Sequence, residues 1–223
     1  MDIGISFMLT ELKKWVRQTA AQSNGLLVPV SGGSDSALAF HILSSVYPEK
    51  TVGVFVGKDL RARDWFESEG NIRYLPALAS RNHAEVERNA IFQKLALDEN
   101  RWLVGTRNRT ENTFGTFSLA SRVATYLPII GIWKTDIMQL CSLIGVPEEV
   151  MASSRRADPD CGRPTELAEI PLEQIDIFLK VRIGALGENA LDSLTSAQIA
   201  YLDKAYKANK WRTGLPTEGP QLD

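Results

Sequence analysis

The sequence lacks paired cysteines, a long apolar run and an excess of charge of either sign. Its 223 residues contain only two cysteines, Cys141 and Cys161, which lie far apart and form no CxxC pair. Neither a disulfide framework nor a zinc site is therefore expected. The first ten residues lack the basic region and apolar run of a signal peptide, and no later apolar segment reaches membrane-spanning length. We expect a cytoplasmic protein that does not enter a membrane.

The near-neutral charge limits the classes of partner. A formal net charge of -2 gives no general electrostatic reason to expect nucleic acid or an acidic membrane surface as a partner. A small-molecule substrate fits this balance better. With 44% hydrophobic and 23% charged residues, the chain has the composition of a single α/β domain over residues 1–223.

Strand-like and helix-like segments alternate along the chain. Strands are predicted at 26–30, 51–56, 72–75, 102–104 and 126–132, and helices at 9–21, 36–47, 83–97, 134–144, 171–182 and 195–208. This alternation predicts a doubly wound, mainly parallel five-stranded sheet flanked by helices. The core spans about 26–150 and the C-terminal helices about 171–212. Between them, the polar and proline-containing segment 151–168 is interpreted as a lid loop over a site.

A glycine- and serine-rich turn follows the first strand and opens the next helix. It consists of Ser31, Gly32, Gly33, Ser34, Asp35 and Ser36. Backbone amides, hydroxyls and a helix N-terminus all favour an anion, and glycines let the main chain approach it closely. Asp35 cannot itself favour an anion, so it implies a bridging Mg²⁺. The simpler alternative is a glycine-rich helix cap.

The turn is not a Walker loop, which would need Lys and then Ser or Thr after the second glycine. It resembles the SGGxDS signature of the PP-loop ATP pyrophosphatases. That resemblance implies an enzyme that splits ATP into AMP and pyrophosphate while it adenylates a substrate, on a fold like that of the adenine nucleotide alpha hydrolases.

A second block narrows the resemblance. Gly105 to Glu111 reads GTRNRTE, and it is followed by Pro128, by Lys134-Thr135 and by LIGVPE at 143–148. Together with the SGGSDS turn, these segments resemble the ammonia-dependent NAD synthetases. The resemblance implies an amide ligase that adenylates deamido-NAD and then amidates it with ammonia. It also implies a homodimer. Free ammonia or a separate glutaminase partner would supply the nitrogen.

Residue roles follow from the same resemblance. Asp35 and Glu111 would hold Mg²⁺ on the triphosphate of ATP, and Lys134 with Asp35 would be the catalytic pair. The six residues of the turn, with Thr106 and Lys134, would bind ATP and its pyrophosphate. The residues expected on the substrate side are Asn82, Arg88, Arg122 and Lys210.

The chain departs from the family on that substrate side. Where the family has a GYFTKYGD stretch, this chain has Gly115 to Arg122, so an aspartate has become Arg122, interpreted as an anion contact. Three alternatives therefore stay open: ligation of a different carboxylate, a PP-loop thiolase that uses Cys161, and a nucleotide sensor that has lost ligation. His41 and His83 lack sequence neighbours that would indicate a metal site or a triad.

Overall fold

The computed structural model describes residues 3–78, 84–155 and 169–214 as alternating helices and strands. In chain order these are α1 (Ile3–Thr19), β1 (Leu26–Pro29), α2 (Ser34–Val46), β2 (Thr51–Val56), α3 (Arg63–Glu69), β3 (Ile72–Leu75), α4 (Ala84–Asp98), β4 (Trp102–Leu103), α5 (Arg109–Phe114), α6 (Lys134–Leu143), α7 (Glu148–Ser154), α8 (Leu172–Arg182) and α9 (Ser196–Thr213). Short 3-10 helices cover Leu119–Val123 and Glu188–Ser193.

The strands of the described ranges form one parallel sheet in the order β3-β2-β1-β4. In the register of β1, Leu26 lies opposite Thr51 of β2 on one side and opposite Trp102 of β4 on the other. The run of apolar residues in β1 is fully buried from Leu26 to Val28, because helices cover both faces of a parallel sheet. Strand order reverses at β1, so the loops after β1 and β4 lie side by side at the edge where open α/β sheets bind ligands.

The predicted fifth strand at 126–132 is reduced to a single parallel bridge at Tyr126, just beyond β4. After it the chain turns, with Ile132 N donating to the Ile129 carbonyl at 3.0 Å. Pro128 has no N–H to give to a sheet ladder, which favours the turn. The apolar residues that suggested a strand are explained by burial, since Ile129 is fully buried. The predicted fold class is confirmed, with one strand fewer in the described part of the chain.

Helices cover the two faces of the sheet. On one face α2 packs between the sheet and the helices α1 and α6, and Phe40, Ile42 and Leu43 are fully buried there. On the other face α4 contributes Phe92 and Ala96 to a second apolar cluster. This arrangement fixes α2 and the turn before it against the centre of the sheet.

A third apolar cluster joins α5, α8 and α9 through Phe114, Phe178 and Leu202. Contacts of α8 with both α5 and α6 hold this cluster beside the loop that follows β4. The C-terminal helices therefore support the beginnings of α5 and α6, where predicted site residues lie. The assignment of 1–223 to one domain stays a prediction.

The segment predicted as a lid, 151–168, begins inside α7, and its residues 156–168 lie outside the described ranges. Helix α3 was not predicted, and α1 begins six residues earlier than its pattern indicated. Among the helices that the structure describes, none is long and apolar enough to cross a membrane.

Candidate active site

The turn between β1 and α2 is closed by serine hydroxyls. Ser31 N donates to Ser36 Oγ at 3.2 Å, and Ser36 Oγ donates to the Gly33 carbonyl at 2.9 Å. Gly33 N in turn donates to Ser31 Oγ at 3.3 Å. Gly32 has a φ of 77°, a conformation that glycine adopts without strain. The turn thus presents the N-terminus of α2 in a fixed shape, and such an end attracts anions.

Ser34, the first residue of α2, is completely buried and contacts two distant elements. Its amide donates to Ser154 Oγ at 3.2 Å, and the hydroxyls of these two serines are 2.7 Å apart. Lys134 Nζ donates to Ser34 Oγ at 2.7 Å. Because Ser154 ends α7, the described start of the predicted lid rests on the turn of residues 31–36, which we call the phosphate turn after its predicted role. The Ser154 hydroxyl oxygen accepts a hydrogen bond from the Ser34 amide, and a phosphate oxygen could accept the same hydrogen bond.

Asp35 and Lys134 form an ion pair at the same place. The Lys134 side chain is only 5% exposed and that of Asp35 is 20% exposed. Asn108 Nδ2 donates to Asp35 Oδ1 at 2.9 Å, so both carboxylate oxygens have a partner. A buried ammonium is costly unless it is paired and hydrogen-bonded. Lys134 is paired with Asp35 and hydrogen-bonded to Ser34, and both residues belong to the turn.

Asn108 connects the two carboxylates that were expected to hold Mg²⁺. It is the N-cap of α5, where its Oδ1 accepts from Glu111 N at 2.9 Å and its N–H donates to Glu111 Oε2 at 3.3 Å. In the described ranges, no group of three or more His, Cys, Asp or Glu side chains could hold a metal by itself. Magnesium is commonly bound by one or two carboxylates plus substrate phosphates. Asp35 and Glu111, both bonded to Asn108, fit that mode of binding.

A buried aspartate, Asp176, holds the backbone around Lys134 in place through Thr110 and Thr135. Asp176 of α8, 1% exposed, accepts from Thr110 Oγ1 at 2.5 Å and from Thr135 N and Oγ1 at 2.9 and 2.8 Å. The Thr110 hydroxyl in turn accepts from Lys134 N at 2.9 Å. The helix starts of α5 and α6 are therefore tied to one carboxylate, which orients the catalytic candidates.

Three arginines gather around Phe117, and one of them immediately precedes Asn108 in the sequence. We call Arg107, Arg122 and Arg212 the arginine cluster, because each contacts Phe117. The guanidinium carbons of Arg107 and Arg122 lie 4.1 and 5.9 Å from the centre of the Phe117 ring, and Arg212 Nη1 donates to the Phe117 carbonyl at 3.1 Å. Arg122 Nη1 donates to the Arg212 carbonyl at 3.0 Å. Burial, together with the positive charge of Arg122, lowers the pKa of Arg107 from its ordinary value, while Glu111 acts in the opposite sense.

Cys141 lies directly under the phosphate turn. It is fully buried in α6, and its Sγ donates to the Ser34 carbonyl at 3.4 Å. Burial above all, and then the charge of Asp35, raises the pKa of Cys141 to about 12. Such a thiol is not a nucleophile at neutral pH. The prediction that Cys141 is a core residue is confirmed.

The profile of the NAD synthase family matches residues 63–216, which is more than half of the chain. The chain belongs to this family. An NH(3)-dependent NAD(+) synthetase of Pyrococcus furiosus is 22% identical over 97% of this chain and 95% of its own length. The predicted family and its enzyme class, carbon–nitrogen ligase, are thereby confirmed.

Two solved structures share the fold. One is an NH3-dependent NAD synthetase from Campylobacter jejuni, with a TM-score of 0.75 and 16% identity, covering 99% of this chain and 100% of that one. The other is an NMN synthetase from Francisella tularensis, with a TM-score of 0.74 and 15% identity over the same shares. The SGGSDS turn lies before the stretch that the NAD synthase profile matches, and by itself it resembles the wider PP-loop group.

The structure brings together only some of the predicted site residues. Asp35, Lys134 and the turn meet, and Glu111 joins them through Asn108. Thr106 lies in the same loop as Asn108, between β4 and α5. Arg88 lies on α4, which packs on the opposite face of the sheet from α2, and Lys210 is an exposed residue of α9. Asn82, Cys161 and His83 fall outside the described ranges.

Sequence reasoning missed the residues that position the others. Asn108 and Ser154 reach the turn only because distant segments fold against it. Asp176 left a weak signal, since it is a lone acid between the apolar Ile175 and Phe178 of a helix. His41 is held by ordinary contacts, with its Nδ1 2.5 Å from Glu69 Oε2, as expected of a histidine outside the site.

Proposed function

We propose that this NAD synthase family member is an ATP-dependent amide ligase that converts the carboxylate of a nicotinate nucleotide into an amide with ammonia. Deamido-NAD is the first candidate substrate. ATP would be split into AMP and pyrophosphate. The observation that carries the proposal is the meeting of Lys134 with Ser34 and Asp35 at the N-terminus of α2. There a buried ammonium adjoins amides that favour an anion.

The turn is proposed to hold the phosphates that leave as pyrophosphate. Ser31, Gly33 and Ser36 would supply amides and hydroxyls, with Thr106 beside them in the next loop. Gly33 has an extended N-cap backbone, and a Cβ built on it would meet only Ser31 Oγ, at 3.5 Å. The backbone conformation of Gly33 does not require glycine. A glycine is instead explained by the space that it leaves for a phosphate to approach the main chain closely.

Asp35 and Glu111 are the proposed ligands of Mg²⁺. When bound with the triphosphate, the ion would neutralise negative charge on the phosphate oxygens. Lys134 would stabilise the charge that develops as the bond to pyrophosphate breaks. Its ammonium is already in place before the reaction, because Asp35 pairs with it and the Thr110 hydroxyl fixes its backbone. Such preorganisation is a large source of catalysis.

The reaction needs no nucleophilic side chain. An oxygen of the substrate carboxylate would attack the α-phosphorus of ATP while the bond to pyrophosphate breaks, which gives an acyl-adenylate. Ammonia would then attack the acyl carbon, AMP would leave, and the ammonium nitrogen would lose a proton to form the amide. Catalysis rests on holding the reactants in line and on charge neutralisation.

An assay of products tests the proposal. The protein is incubated with ATP, Mg²⁺, ammonia and nicotinic acid adenine dinucleotide, and AMP, pyrophosphate and NAD are measured. We expect equal amounts of the three products. Nicotinic acid mononucleotide is tested in parallel, because a solved structure of the same fold is described as an NMN synthetase.

Other outcomes would favour the alternatives. AMP release only with an unrelated carboxylate would contradict a nicotinate nucleotide as substrate. Binding of ATP without turnover with any acid would favour a nucleotide sensor. Sulfur transfer that is lost in Cys161→Ser would favour a thiolase. A homodimer, a cytoplasmic location and a separate source of ammonia remain predictions.

A further inference from the structure

Three titratable side chains from α1, α2 and α3 meet outside the candidate active site. Lys13 Nζ lies 3.3 Å from His41 Nε2, and His41 Nδ1 lies 2.5 Å from Glu69 Oε2. His41 lies about two helical turns beyond Ser34 on α2. The side chains of His41 and Glu69 are 16% and 20% exposed, and Lys13 is partly exposed. We call Lys13, His41 and Glu69 the lysine triad, and the proposed ligation does not use it.

The contact between the two nitrogens limits the protons that they hold. A carboxylate can only accept, so His41 Nδ1 carries a proton that it donates to Glu69. An ammonium has no lone pair, and a doubly protonated imidazole has none either. A hydrogen bond between Lys13 and His41 therefore requires that one of the two nitrogens has a free lone pair. A single proton is shared between them.

The surroundings make it easier to remove that proton from Lys13. Burial lowers the pKa of Lys13 from its ordinary value, Glu69 acts in the opposite sense, and Arg17 adds to the lowering. When the proton is on His41 Nε2, the imidazolium lies between a carboxylate and a neutral amine, which stabilise it. The same order of groups activates the hydroxyl of serine in a catalytic triad.

A positive charge beside the triad suits a reactant with an anionic leaving group. Arg17 lies one helical turn after Lys13 on α1 and is exposed, and in the described ranges it forms no ion pair with a carboxylate. Residues four positions apart are neighbours on a helix surface. A guanidinium matches two phosphate oxygens at once. An acyl phosphate could therefore place its phosphate on Arg17 and its acyl carbon beside Lys13 Nζ.

We propose that Lys13 is a nucleophilic amine that acyl phosphates acylate, with His41 as the acceptor of its proton. Lys13 Nζ attacks the carbonyl carbon, a C–N bond forms, and the C–O bond to phosphate breaks. One ammonium proton passes to His41 Nε2 and then to solvent, and the second leaves with the phosphate. The products are an amide at Lys13 and inorganic phosphate. An acyl thioester is the other source of the same acyl group.

The test measures the acetylation of individual lysines in the wild-type protein. The protein is incubated with acetyl phosphate at near-neutral pH, and the rate at each lysine is followed by peptide mass spectrometry. Lys14 is the matched control, because it is the next residue of α1, is 58% exposed and pairs with Glu11. Lys13 should react about tenfold faster than Lys14 or more, since a positioned proton acceptor contributes at least that much. Its rate should also rise at a lower pH.

Variants separate the roles of the triad. The amide of His41→Gln can accept a hydrogen bond from Lys13 but cannot take its proton, so the rate at Lys13 should fall to about that of Lys14. Glu69→Gln should give a smaller loss, and neither variant should change the rate at Lys14. Arg17→Gln should slow acetylation by acetyl phosphate more than acetylation by S-acetyl-N-acetylcysteamine, a thioester without phosphate. Thermal melts show that each variant is folded.

Two results would overturn the proposal: a wild-type rate at Lys13 no higher than at Lys14, or an equal rate at Lys13 in wild type and His41→Gln. An equal effect of Arg17→Gln on both reagents would contradict acyl phosphate as the donor. If His41→Gln does not fold, Glu69→Gln and the wild-type pH profiles of Lys13 and Lys14 decide, and identical profiles refute the proposal. These measurements do not depend on ligase activity, so failure of the proposed function leaves them unchanged.

Discussion

The phosphate turn, which Asn108 contacts through Asp35, and the arginine cluster, which includes the preceding residue Arg107, differ in how their polar groups are satisfied. Around the turn, Lys134 bonds to both Asp35 and Ser34, and Asp35 also accepts a hydrogen bond from Asn108. In the cluster, buried guanidinium nitrogens of Arg107 and Arg212 lack acceptors among the described residues. The side chains of one region satisfy one another, and the other region leaves three buried guanidinium nitrogens without an acceptor among the described residues.

This difference separates two ways of building a site. A closed network fixes its geometry before ATP arrives, and it contributes to the stability of the fold. An open cluster keeps like charges and unpaired donors together at a cost in stability, which is a common compromise at functional sites. Substitutions in the two regions should therefore affect stability and activity in different proportions.

The largest effect is expected from Asp35→Asn, which breaks the network at the phosphate turn. It removes the charge that pairs with Lys134 and a proposed Mg²⁺ ligand. The kcat for AMP release should fall by about a hundredfold to a thousandfold, the range for one preorganised group. Asp64→Asn, in the exposed first turn of α3, is the matched control. Retained activity in Asp35→Asn would refute the assignment of this carboxylate.

Asp176→Ala should give the next largest effect, on stability as well as activity. Three hydrogen bonds lose their buried acceptor, so the free energy of unfolding should fall by about 3 kcal/mol in urea titrations. The kcat should also fall, because Lys134 N is fixed through Thr110. Asp203→Ala is the control, since its partner Lys207 is mostly exposed and exposed ion pairs contribute little to stability. Equal losses in the two variants would contradict a special role for Asp176.

Alanine substitutions at the two glycines of the turn should separate an effect on backbone conformation from an effect on ligand binding. Gly32→Ala places a Cβ on a residue with φ of 77° and should lower the free energy of unfolding by about 1 to 2 kcal/mol. Gly33→Ala fits the unliganded backbone, so thermal melts should match wild type. Its KM for ATP should instead rise about tenfold or more, because the methyl group keeps phosphate from the amides. An unchanged KM would argue against phosphate at Gly33.

The smallest effect on stability is expected in the arginine cluster. Arg107→Met loses the stacking of a cation on Phe117 but also ends the repulsion with Arg122 and the burial of unpaired donors. The free energy of unfolding should change by less than about 1 kcal/mol, whereas that of Asp176→Ala falls. Urea titration at matched salt measures both. A loss in Arg107→Met as large as in Asp176→Ala would mean that the cluster is structural.

Local motifs made the phosphate turn predictable. The residues Ser31 to Ser36 are consecutive, and their placement between a buried strand and a helix predicts an anion-binding turn, which the structure describes as a turn at the N-terminus of α2. The partners of the turn were harder to predict, because Asn108 and Ser154 reach it through the order of strands and the packing of α7. No local pattern encodes those contacts.

Longer-range geometry also limits what the sequence could predict. Lys210 stays a predicted substrate residue, whereas the residue of α9 that the structure brings to Phe117 is Arg212, two positions further along. Side chains two positions apart on a helix differ in direction by about 200°, so a small error in alignment changes which side chain faces the site. For 126–132, apolar composition alone could not distinguish a strand from a buried turn.

The reactivity of the Cys141 thiol can be used to measure how often the phosphate turn opens. The thiol is fully buried and its Sγ is bonded to the Ser34 carbonyl, so we expect an alkylating reagent to reach it only after the contact between α2 and α6 opens. In a Cys161→Ser background Cys141 is the sole thiol of the chain. The rate of alkylation of Cys141 would then report how often the turn opens, and saturating ATP should lower that rate.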